Sequence, residues 1–290
     1  MPRVATIQDI SGIGRCSLTA AIPILSAMGI QPCPLPTAVL SNQTAFESYA
    51  AVPLTGQLAD SIAEWKKQGL TFEGVTTGFL MDSKQAGLVE DFIRYAKSGG
   101  ALVVVDPVMG DGGRLYPVFD EDMCEAFRRL IAGADVITPN LTEACLLARM
   151  PYPKTHEHDF IWRVAACLAD MGPGSVVITG VDAPDGQISN LAYIGGERIE
   201  VYNRKLGGHF SGTGDILSSV ICGCLLRGEN IEHGLTLAGQ LFEAAIKRTL
   251  EQGADPREGV VFEPFLGILS PKTVEKREGY DRFKSSGAEG

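Results

Sequence analysis

Short runs of apolar and β-branched residues alternate with longer amphipathic segments along almost the whole chain, and this alternation most constrains the fold. The predicted strands cover residues 4–7, 74–79, 101–105, 135–138 and 175–179. A predicted hairpin joins residues 188–194 to residues 198–202 through Gly195-Gly196. The predicted helices cover residues 18–28, 54–68, 83–97, 121–132, 142–148, 157–171, 215–226 and 231–251. Repeated βα units indicate a mostly parallel sheet with helices on both faces.

The segment at residues 101–105 is almost wholly apolar, which is typical of a strand that is buried on both faces. No break in composition divides the chain, so we expect one α/β domain over residues 1–270. Residues 271–290 are charged and rich in glycine and serine, and we expect them to form a tail. Ligands of open parallel sheets gather beyond the carboxyl ends of the strands, so a functional site is expected there.

The chain is acidic, with a formal net charge of −10 and a pI near 5.0. It has no basic surplus to neutralise phosphates, so nucleic acid and anionic membranes are not expected partners. Hydrophobic residues make up 45% of the sequence, which is enough for a large core. A nucleotide bound by such a protein would have to be held by metal ions and local backbone amides.

Seven cysteines without a C-x-x-C pair lie mostly among apolar neighbours. This pattern favours reduced, buried thiols over disulfides or a zinc site. The N-terminal segment has neither an apolar leader region nor a cleavage motif. The uninterrupted apolar stretches are shorter than the roughly 18 residues that span a bilayer. We therefore expect a cytoplasmic protein.

The segment Ser211-Gly212-Thr213-Gly214-Asp215 combines features that phosphoryl transfer requires. Its two glycines let a ligand approach the backbone closely. The apolar run that follows is a predicted helix, so these amides would lie at its N-terminus, where free N–H groups and the helix dipole attract an anion. Asp215 would lie in the first turn, within reach of a substrate hydroxyl. Simple helix capping is the alternative interpretation, because Gly, Ser, Thr and Asp commonly start helices.

Polar groups follow several predicted strands at the same edge of the sheet: Asp9 and Ser11, Asp106 and Asp111, Asn140 and Glu143, and Thr179. Carboxylates from separate loops suit Mg²⁺, which usually keeps several waters and takes one or two carboxylates directly. The candidate metal ligands are Asp106, Asp111 and Glu143. The spacing of Asn140 and Glu143 also fits a capping box, and the two roles are compatible.

Rival nucleotide signatures are absent from the sequence. It contains no G-x-x-x-x-G-K-[ST] loop and no H-R-D motif with D-F-G. The stretch at residues 12–17 resembles a dinucleotide fingerprint with Ser17 in place of the third glycine. However, Gln31 and the proline-rich stretch behind it supply no acid at the position expected to bind ribose, which disfavours a dehydrogenase.

Four motifs together resemble a known enzyme family: Gly-Thr-Gly-Asp at 212–215, Asn-x-x-Glu at 140–143, Asp-Pro-Val-Met-Gly-Asp at 106–111, and Ser-Asn-Gln-Thr at 41–44. They resemble the ribokinase-like small-molecule kinases, and among these the vitamin B6 (pyridoxal/pyridoxamine) kinases. The resemblance spans about residues 4–250. It implies a three-layer α/β/α fold, ATP as phosphoryl donor, Mg²⁺ and a homodimer, and it leaves a requirement for K⁺ open.

The resemblance also implies roles for individual positions. It implies that the catalytic base is Asp215 and that an anion hole is formed by Gly212, Thr213 and Gly214. It implies that Mg²⁺ and the ATP phosphates are handled by Asp106, Asp111 and Glu143. It further implies ATP contacts for Asn140, Thr179, Arg204 and Gly212. Contacts with the pyridine substrate are implied for Asp9, Ser11, Thr44 and Phe79.

Some features depart from the B6 group. Phe79 stands where some members carry Tyr, and the loop at residues 9–12 also resembles that of hydroxymethylpyrimidine kinases, which share this fold. Those enzymes typically carry G-T-G-C, so Asp215 favours the B6 group. We therefore predict phosphorylation of the 5′-hydroxymethyl group of pyridoxal, pyridoxamine or pyridoxine. The alternatives are a hydroxymethylpyrimidine or sugar kinase and a non-catalytic nucleotide- or B6-binding protein, and the intact motif argues against the last.

Overall fold

Strands from the whole length of the chain form one large sheet in the computed structural model, which describes residues 1–155 and 157–271. The strands, in chain order, are β1 (Arg3–Ser11), β2 (Gln31–Leu40), β3 (Ala51–Pro53), β4 (Gly74–Thr77), β5 (Leu102–Val105), β6 (Gly110–Asp111), β7 (Arg114–Leu115), β8 (Val136–Ile137), β9 (Ser175–Ala183), β10 (Gln187–Ile194) and β11 (Glu197–Arg204). In the described residues β6 and β7 pair only with each other. The other nine strands lie in the order β11-β10-β9-β8-β5-β4-β1-β2-β3.

The centre of this sheet is parallel. Each neighbouring pair from β9 to β2 runs in the same direction, whereas β3 at one edge and β10 and β11 at the other are antiparallel. The mostly parallel sheet predicted from the βα alternation is therefore confirmed. Because the parallel strands share one direction, their carboxyl ends lie along a single edge, and this edge carries the site described below.

Helices cover both faces of the sheet. The helices are α1 (Ser17–Ala27), α2 (Thr55–Lys67), α3 (Ser83–Ser98), α4 (Glu121–Ala132), α5 (Leu141–Leu147), α6 (His158–Ala169), α7 (Thr213–Leu226) and α8 (Ile231–Gln252). One hydrophobic core contains side chains of α2 to α6. A second core contains side chains of α1, α7 and α8. The predicted three-layer α/β/α architecture is thus confirmed.

Strand β5 shows why the central strands are apolar on both faces. Val103, Val104 and Val105 are all completely buried. Successive strand residues point to opposite faces, and accordingly Val103 and Val105 pack into the core with α2 to α6 while Val104 packs into the core with α1, α7 and α8. A continuous run of valines therefore supplies both cores at once.

Strand β2 was not predicted, because three of its residues are proline. Gln31 donates its amide to the carbonyl oxygen of Pro2 in the segment leading into β1, so alternate amides of β2 face β1. Pro32, Pro34 and Pro36 lie at the intervening positions, where a missing N–H faces away from β1. On that side β3 pairs only with the last three residues of β2. The prolines therefore remove no hydrogen bond from the parallel ladder.

The short strands β3, β6 and β7 were not predicted either, and the remaining elements agree with the prediction, with shifted ends. Helix ends lie within two residues of their predicted positions, whereas β1 and β9 extend about four residues further than predicted, to Ser11 and Ala183. All seven cysteines are free thiols. No helix among the described residues is both long enough and apolar enough to cross a bilayer. The tail predicted for residues 271–290 lies, apart from Pro271, outside the described residues.

Phe127 of α4 tests the importance of the core on that face. Its side chain is fully buried in the core that contains α2 to α6. We expect Phe127→Ala to lower the free energy of unfolding by about 3–5 kcal/mol, because the lost contacts leave a cavity. Val52→Ala is the control, since Val52 is 60% exposed and should change stability by no more than about 0.5 kcal/mol. Denaturant unfolding measures both, and equal effects would contradict this description of the core.

Candidate active site

A cavity of about 690 Å³ opens at the carboxyl edge of the parallel strands. Asp9 and Ser11 reach it from the end of β1, Asp106 directly follows β5, and Asn140 lies in the segment between β8 and α5. Every residue that the sequence analysis assigned to catalysis, substrate, nucleotide or metal lines this one cavity: Asp9, Ser11, Thr44, Phe79, Asp106, Asp111, Asn140, Glu143, Thr179, Arg204, Gly212, Thr213, Gly214 and Asp215. The structure therefore brings the predicted set together, while the role of each residue remains a proposal.

The glycine turn before α7 has a backbone that requires glycine. Gly212 has a φ of +79°, in the left-handed region. A Cβ there would also overlap the carbonyl oxygen of Arg15, which lies in the loop before α1. Helix α7 begins at Thr213, so the first amides of this turn have no partner within the helix. They lie at the positive end of the helix dipole, at the cavity wall, where they can bind an anion.

Asp215 lies in the first turn of α7 and is 9% exposed. Its Oδ2 accepts a hydrogen bond from the backbone amide of Ser17 at 2.8 Å. Burial raises the pKa of Asp215 to about 7, the Ser17 amide opposes this rise, and the nearby Asp9 carboxylate adds to it. A carboxyl with a pKa near neutrality can exchange a proton with a bound hydroxyl at physiological pH.

Asp9 is tied to the same region through two serines. Its Oδ1 accepts a hydrogen bond from Ser17 Oγ at 2.5 Å, and its Oδ2 accepts one from Ser11 Oγ at 2.9 Å. Burial raises the pKa of Asp9, and the two hydroxyls partly offset the effect. Ser17 thus contacts both acids, and its φ of +47° is unusual for a residue with a side chain. Such backbone strain is common at functional sites.

Asp106 and Glu143 form a second acidic pair, and each is only 4% exposed. Glu143 Oε2 accepts the amide of Asn140 at 2.9 Å and Oε1 accepts the amide of Met109 at 3.1 Å. Asn140 Oδ1 accepts the amide of Glu143 in return, which completes the capping box foreseen in the sequence. Burial raises the pKa of Glu143 to about 8. Burial and the charges of Glu143 and Asp215 raise the pKa of Asp106.

The buried acids of the cavity have no cationic side chain as partner in the part of the chain that the structure describes. Among the described residues, no ion pair involves Asp9, Asp106, Glu143 or Asp215. Buried charges are usually paired or coordinate a metal. Hard carboxylate oxygens beside an anion-binding turn therefore fit Mg²⁺, and the residues that could hold it are Asp106, Asp111 and Glu143.

Cationic side chains lie at the outer part of the cavity. Arg204 and Lys205 are exposed at the end of β11, and Lys205 pairs with Asp182 at 2.5 Å. The side chain of His209 is 77% exposed, and its Nδ1 lies 3.7 Å from Asp111 Oδ2. Arg204 and Lys205 thus place positive charge at the exposed part of the cavity, whereas the buried residues of the cavity include the acids.

Phe79 and Thr44 contribute an aromatic ring and a hydroxyl to the cavity wall. Phe79 is 9% exposed, and its ring centroid lies 5.6 Å from that of Phe119 with an angle of 39° between the ring planes. Thr37 Oγ1 donates a hydrogen bond to the Phe79 carbonyl at 2.9 Å, which fixes the backbone there. Thr44 reaches the cavity from an exposed loop between β2 and β3. A flat aromatic substrate would find an apolar surface and a hydroxyl on this wall.

Sequence reasoning missed three residues of the site. Ser17 was noticed only as part of an imperfect dinucleotide fingerprint, although its amide holds Asp215. Gln43 lies inside the Ser-Asn-Gln-Thr motif but was given no role, and it bonds to Ser211. Tyr116 lines the cavity, and burial together with the charge of Glu143 raises its pKa. Its position directly after the short hairpin of β6 and β7 carried no signal that could be recognised locally.

The fold and the cavity define a small-molecule kinase of the ribokinase-like superfamily. The family model of phosphomethylpyrimidine kinase matches residues 15–259, so the chain belongs to that family. The sequence-based assignment to this class of kinase, and the conclusion that the chain is an enzyme, are therefore confirmed.

Several proteins are similar over nearly the full chain. A candidate phosphomethylpyrimidine kinase of Bacteroides thetaiotaomicron, in a crystal form with pyridoxal, is 42% identical with a TM-score of 0.89, covering 92% of this chain and 95% of its own. Pyridoxal kinase of Lactobacillus plantarum is 33% identical with a TM-score of 0.84, and the match covers 93% of this chain and 96% of the Lactobacillus chain. Pyridoxal kinase of Arabidopsis thaliana is 26% identical over 297 residues, and the match covers 96% of this chain and 94% of the Arabidopsis protein.

Gly212→Ala tests the glycine turn. Alanine is strained at the left-handed φ of this position, and its Cβ would overlap the Arg15 carbonyl oxygen. We therefore expect turnover to be lost and the free energy of unfolding to fall by about 2 kcal/mol or more. Gly87→Ala in α3 is the control, because no atom lies within 4 Å of its Cβ position and alanine favours a helix by up to about 1 kcal/mol. A Gly212→Ala enzyme as stable and active as the original would contradict the assigned backbone geometry.

Proposed function

We propose that this kinase transfers the γ-phosphoryl group of ATP to the 5′-hydroxymethyl group of pyridoxal, pyridoxamine or pyridoxine. The observation that carries the proposal is the buried Asp215 carboxylate directly beside the amides of the Gly212 turn. A proton acceptor and an anion-binding turn in direct succession are what alcohol phosphorylation requires. The Bacteroides relative with pyridoxal and the Lactobacillus pyridoxal kinase support a B6 vitamer as acceptor.

Asp215 acts as the general base in this proposal. Its pKa of about 7 leaves a substantial fraction ionised at physiological pH while keeping it basic enough to accept a proton. It takes the proton of the hydroxymethyl group as the oxygen attacks the γ-phosphorus in line. The Ser17 amide at 2.8 Å fixes one carboxylate oxygen, so the other oxygen is available to the substrate.

The amides of the Gly212 turn stabilise the migrating phosphoryl group. Phosphoryl transfer has a loose transition state with charge spread over the equatorial oxygens, so catalysis depends on positioning and on charge stabilisation. Donors that are already aimed at this charge need no reorganisation during the reaction. Thr213 Oγ1 donates a hydrogen bond to the Phe210 carbonyl at 3.2 Å, which helps to hold the turn in this orientation.

The acidic pair is proposed to handle the metal. Asp106 and Glu143, with Asp111 at the exposed side, would hold Mg²⁺ directly or through waters. The bound ion supplies positive charge that neutralises the ATP phosphates. Asn140, Thr179 and Arg204 are proposed to contact the nucleotide from the strand ends. Asp9, Ser11, Thr44 and Phe79 are proposed to surround the pyridine ring.

Hydroxymethylpyrimidine is the second candidate acceptor. The family model that matches the chain carries the phosphomethylpyrimidine kinase description, and a pyrimidine with a hydroxymethyl group would meet the same wall of Phe79 and Thr44. Asp215 at the end of the glycine motif favours the B6 vitamers. A homodimer, a requirement for K⁺ and a cytoplasmic location also remain predictions.

An acceptor panel tests the proposal directly. Purified protein with ATP and Mg²⁺ should release ADP in a coupled assay with pyridoxal, pyridoxamine or pyridoxine. We expect kcat/KM for at least one B6 vitamer to exceed that for hydroxymethylpyrimidine and ribose by tenfold or more, about 1.4 kcal/mol of differential transition-state binding. A preference for hydroxymethylpyrimidine would select the second candidate, and tight binding without ADP release would exclude an active kinase.

Asp215→Asn tests the general base. We expect turnover with pyridoxal to fall by about 10²–10⁴-fold, the usual contribution of a positioned base. ADP should still bind with similar affinity, because the anion-binding amides are unchanged. Single-turnover kinetics and calorimetric titration with ADP measure the two effects. A variant within threefold of the original rate would exclude Asp215 as the base.

The same substitution should not destabilise the protein. The folded pKa of Asp215 is about 7, above its usual value of 3.8, so this group favours the folded state at low pH. Its contribution is lost as the pH rises through about 7. Neutral asparagine can still accept a hydrogen bond from the Ser17 amide, but it does not ionise. At pH 8 the ligand-free variant should therefore melt at a higher temperature than the original protein. This difference should shrink towards pH 5, and a lower melting temperature at pH 8 would indicate that Asp215 is a structural residue.

A further inference from the structure

The side chain of Gln43 joins the loop between β2 and β3 to the segments that contain Ser211 and Arg257, a role outside the proposed chemistry. It is 7% exposed. Its Nε2 donates to Ser211 Oγ at 3.1 Å and to the Arg257 carbonyl oxygen at 2.6 Å. Its Oε1 accepts the amide of Ala45 at 2.8 Å. Both ends of the amide therefore have partners, which fixes the orientation of the side chain.

The backbone of the loop that contains Gln43 is attached to the loop before α1, since the Gln43 amide donates to the Ile13 carbonyl at 3.0 Å and the Ile13 amide donates to the Ser41 carbonyl at 3.2 Å. Gln43 is the single buried residue between positions 41 and 50. A second attachment is the contact of Phe46 with the guanidinium of Arg257, 4.7 Å from the ring centroid. Thr44, which directly follows Gln43, faces the cavity where the pyridine ring is proposed to bind. Contact with that ring would therefore act on the position of the Gln43 side chain.

The other partners of Gln43 belong to the phosphate side. Ser211 directly precedes Gly212, and its amide donates to the Pro256 carbonyl at 3.2 Å. Gln43, Ser211 and the turn at residues 256–257 thus form a closed ring of hydrogen bonds. The side-chain amide of Gln43 bonds to two parts of this ring. Displacement of the 41–50 loop would therefore also displace the start of the glycine turn.

We propose that Gln43 is a positioning residue that couples the vitamer side of the cavity to the anion-binding turn, so that vitamer and nucleotide each increase the affinity of the other. The inference rests on the proposed function. An exposed loop loses conformational entropy when a ligand orders it, and a second ligand that needs the same ordered loop then binds at lower cost. Coupling of this kind is reciprocal between the two ligands.

Calorimetric titration of ADP in the presence of Mg²⁺, with and without saturating pyridoxal, measures the coupling without turnover. For the original protein we expect pyridoxal to tighten ADP binding about fivefold or more, within the usual range of allosteric coupling. The coupling is expressed as the ratio of the Kd of ADP without pyridoxal to its Kd with pyridoxal. Gln43→Met keeps the length of the side chain but removes its hydrogen bonds, and it should bring this ratio to within about twofold of one. Ser211→Ala removes one of the two acceptors and should give an intermediate ratio.

Asn42→Ala is the matched control in the same loop. Asn42 bonds only within the loop among the described residues, accepting from Ser41 Oγ and donating to the Ser48 carbonyl, so the variant should retain the ratio of the original protein. If Gln43→Met does not fold, Ser211→Ala decides the question. A Gln43→Met or Ser211→Ala variant that weakens both ligands but keeps the ratio would overturn the inference, as would a ratio of one in the original protein. Absence of any pyridoxal binding would instead contradict the proposed function.

Discussion

Carboxylates that are buried without an opposite charge determine how this site is built. Asp9 and Asp106 lie at the carboxyl ends of β1 and β5, whereas Glu143 and Asp215 lie in the first turns of α5 and α7. Each of the four is at most 9% exposed. Backbone amides and serine hydroxyls, in place of cationic side chains, hold Asp9, Glu143 and Asp215. Hydrogen bonds of this kind only partly offset the loss of solvation. The acids therefore retain raised pKa values and an affinity for protons or metal ions.

The orientation of these acids depends on contacts between loops that are far apart in sequence. Gly212 packs against the carbonyl of Arg15, and two residues later the strained backbone of Ser17 directs its amide to Asp215. The loop before α1 thereby fixes both the Gly212 turn and the Asp215 carboxylate. Helices α1 and α7 share one hydrophobic core, so the packing of that core carries the energetic cost of the left-handed residues.

The parts of the structure that follow local rules were readable from the sequence. Strand and helix alternation fixed the architecture, and parallel strands necessarily bring Asp106, Asn140 and Thr179 to one edge. Strand β2 escaped prediction because proline is rare in strands. At these positions, however, the backbone nitrogen faces away from β1, so proline removes no hydrogen bond from the parallel ladder. Ser17 and Gln43 escaped because their roles depend on bonds to residues about 200 and 170 positions away.

The acidity of the whole protein does not oppose the proposed binding of ATP. Charges on distant surfaces are screened beyond about 8 Å at physiological ionic strength, whereas donors inside a cavity act at short range and in a lower dielectric. The Gly212 turn offers uncharged donors, and the exposed Arg204 lies at the entrance. An acidic interior also weakens the binding of phosphates that arrive without a metal ion. The net charge of −10 is thus compatible with a site that selects the metal complex of a nucleotide over the free anion.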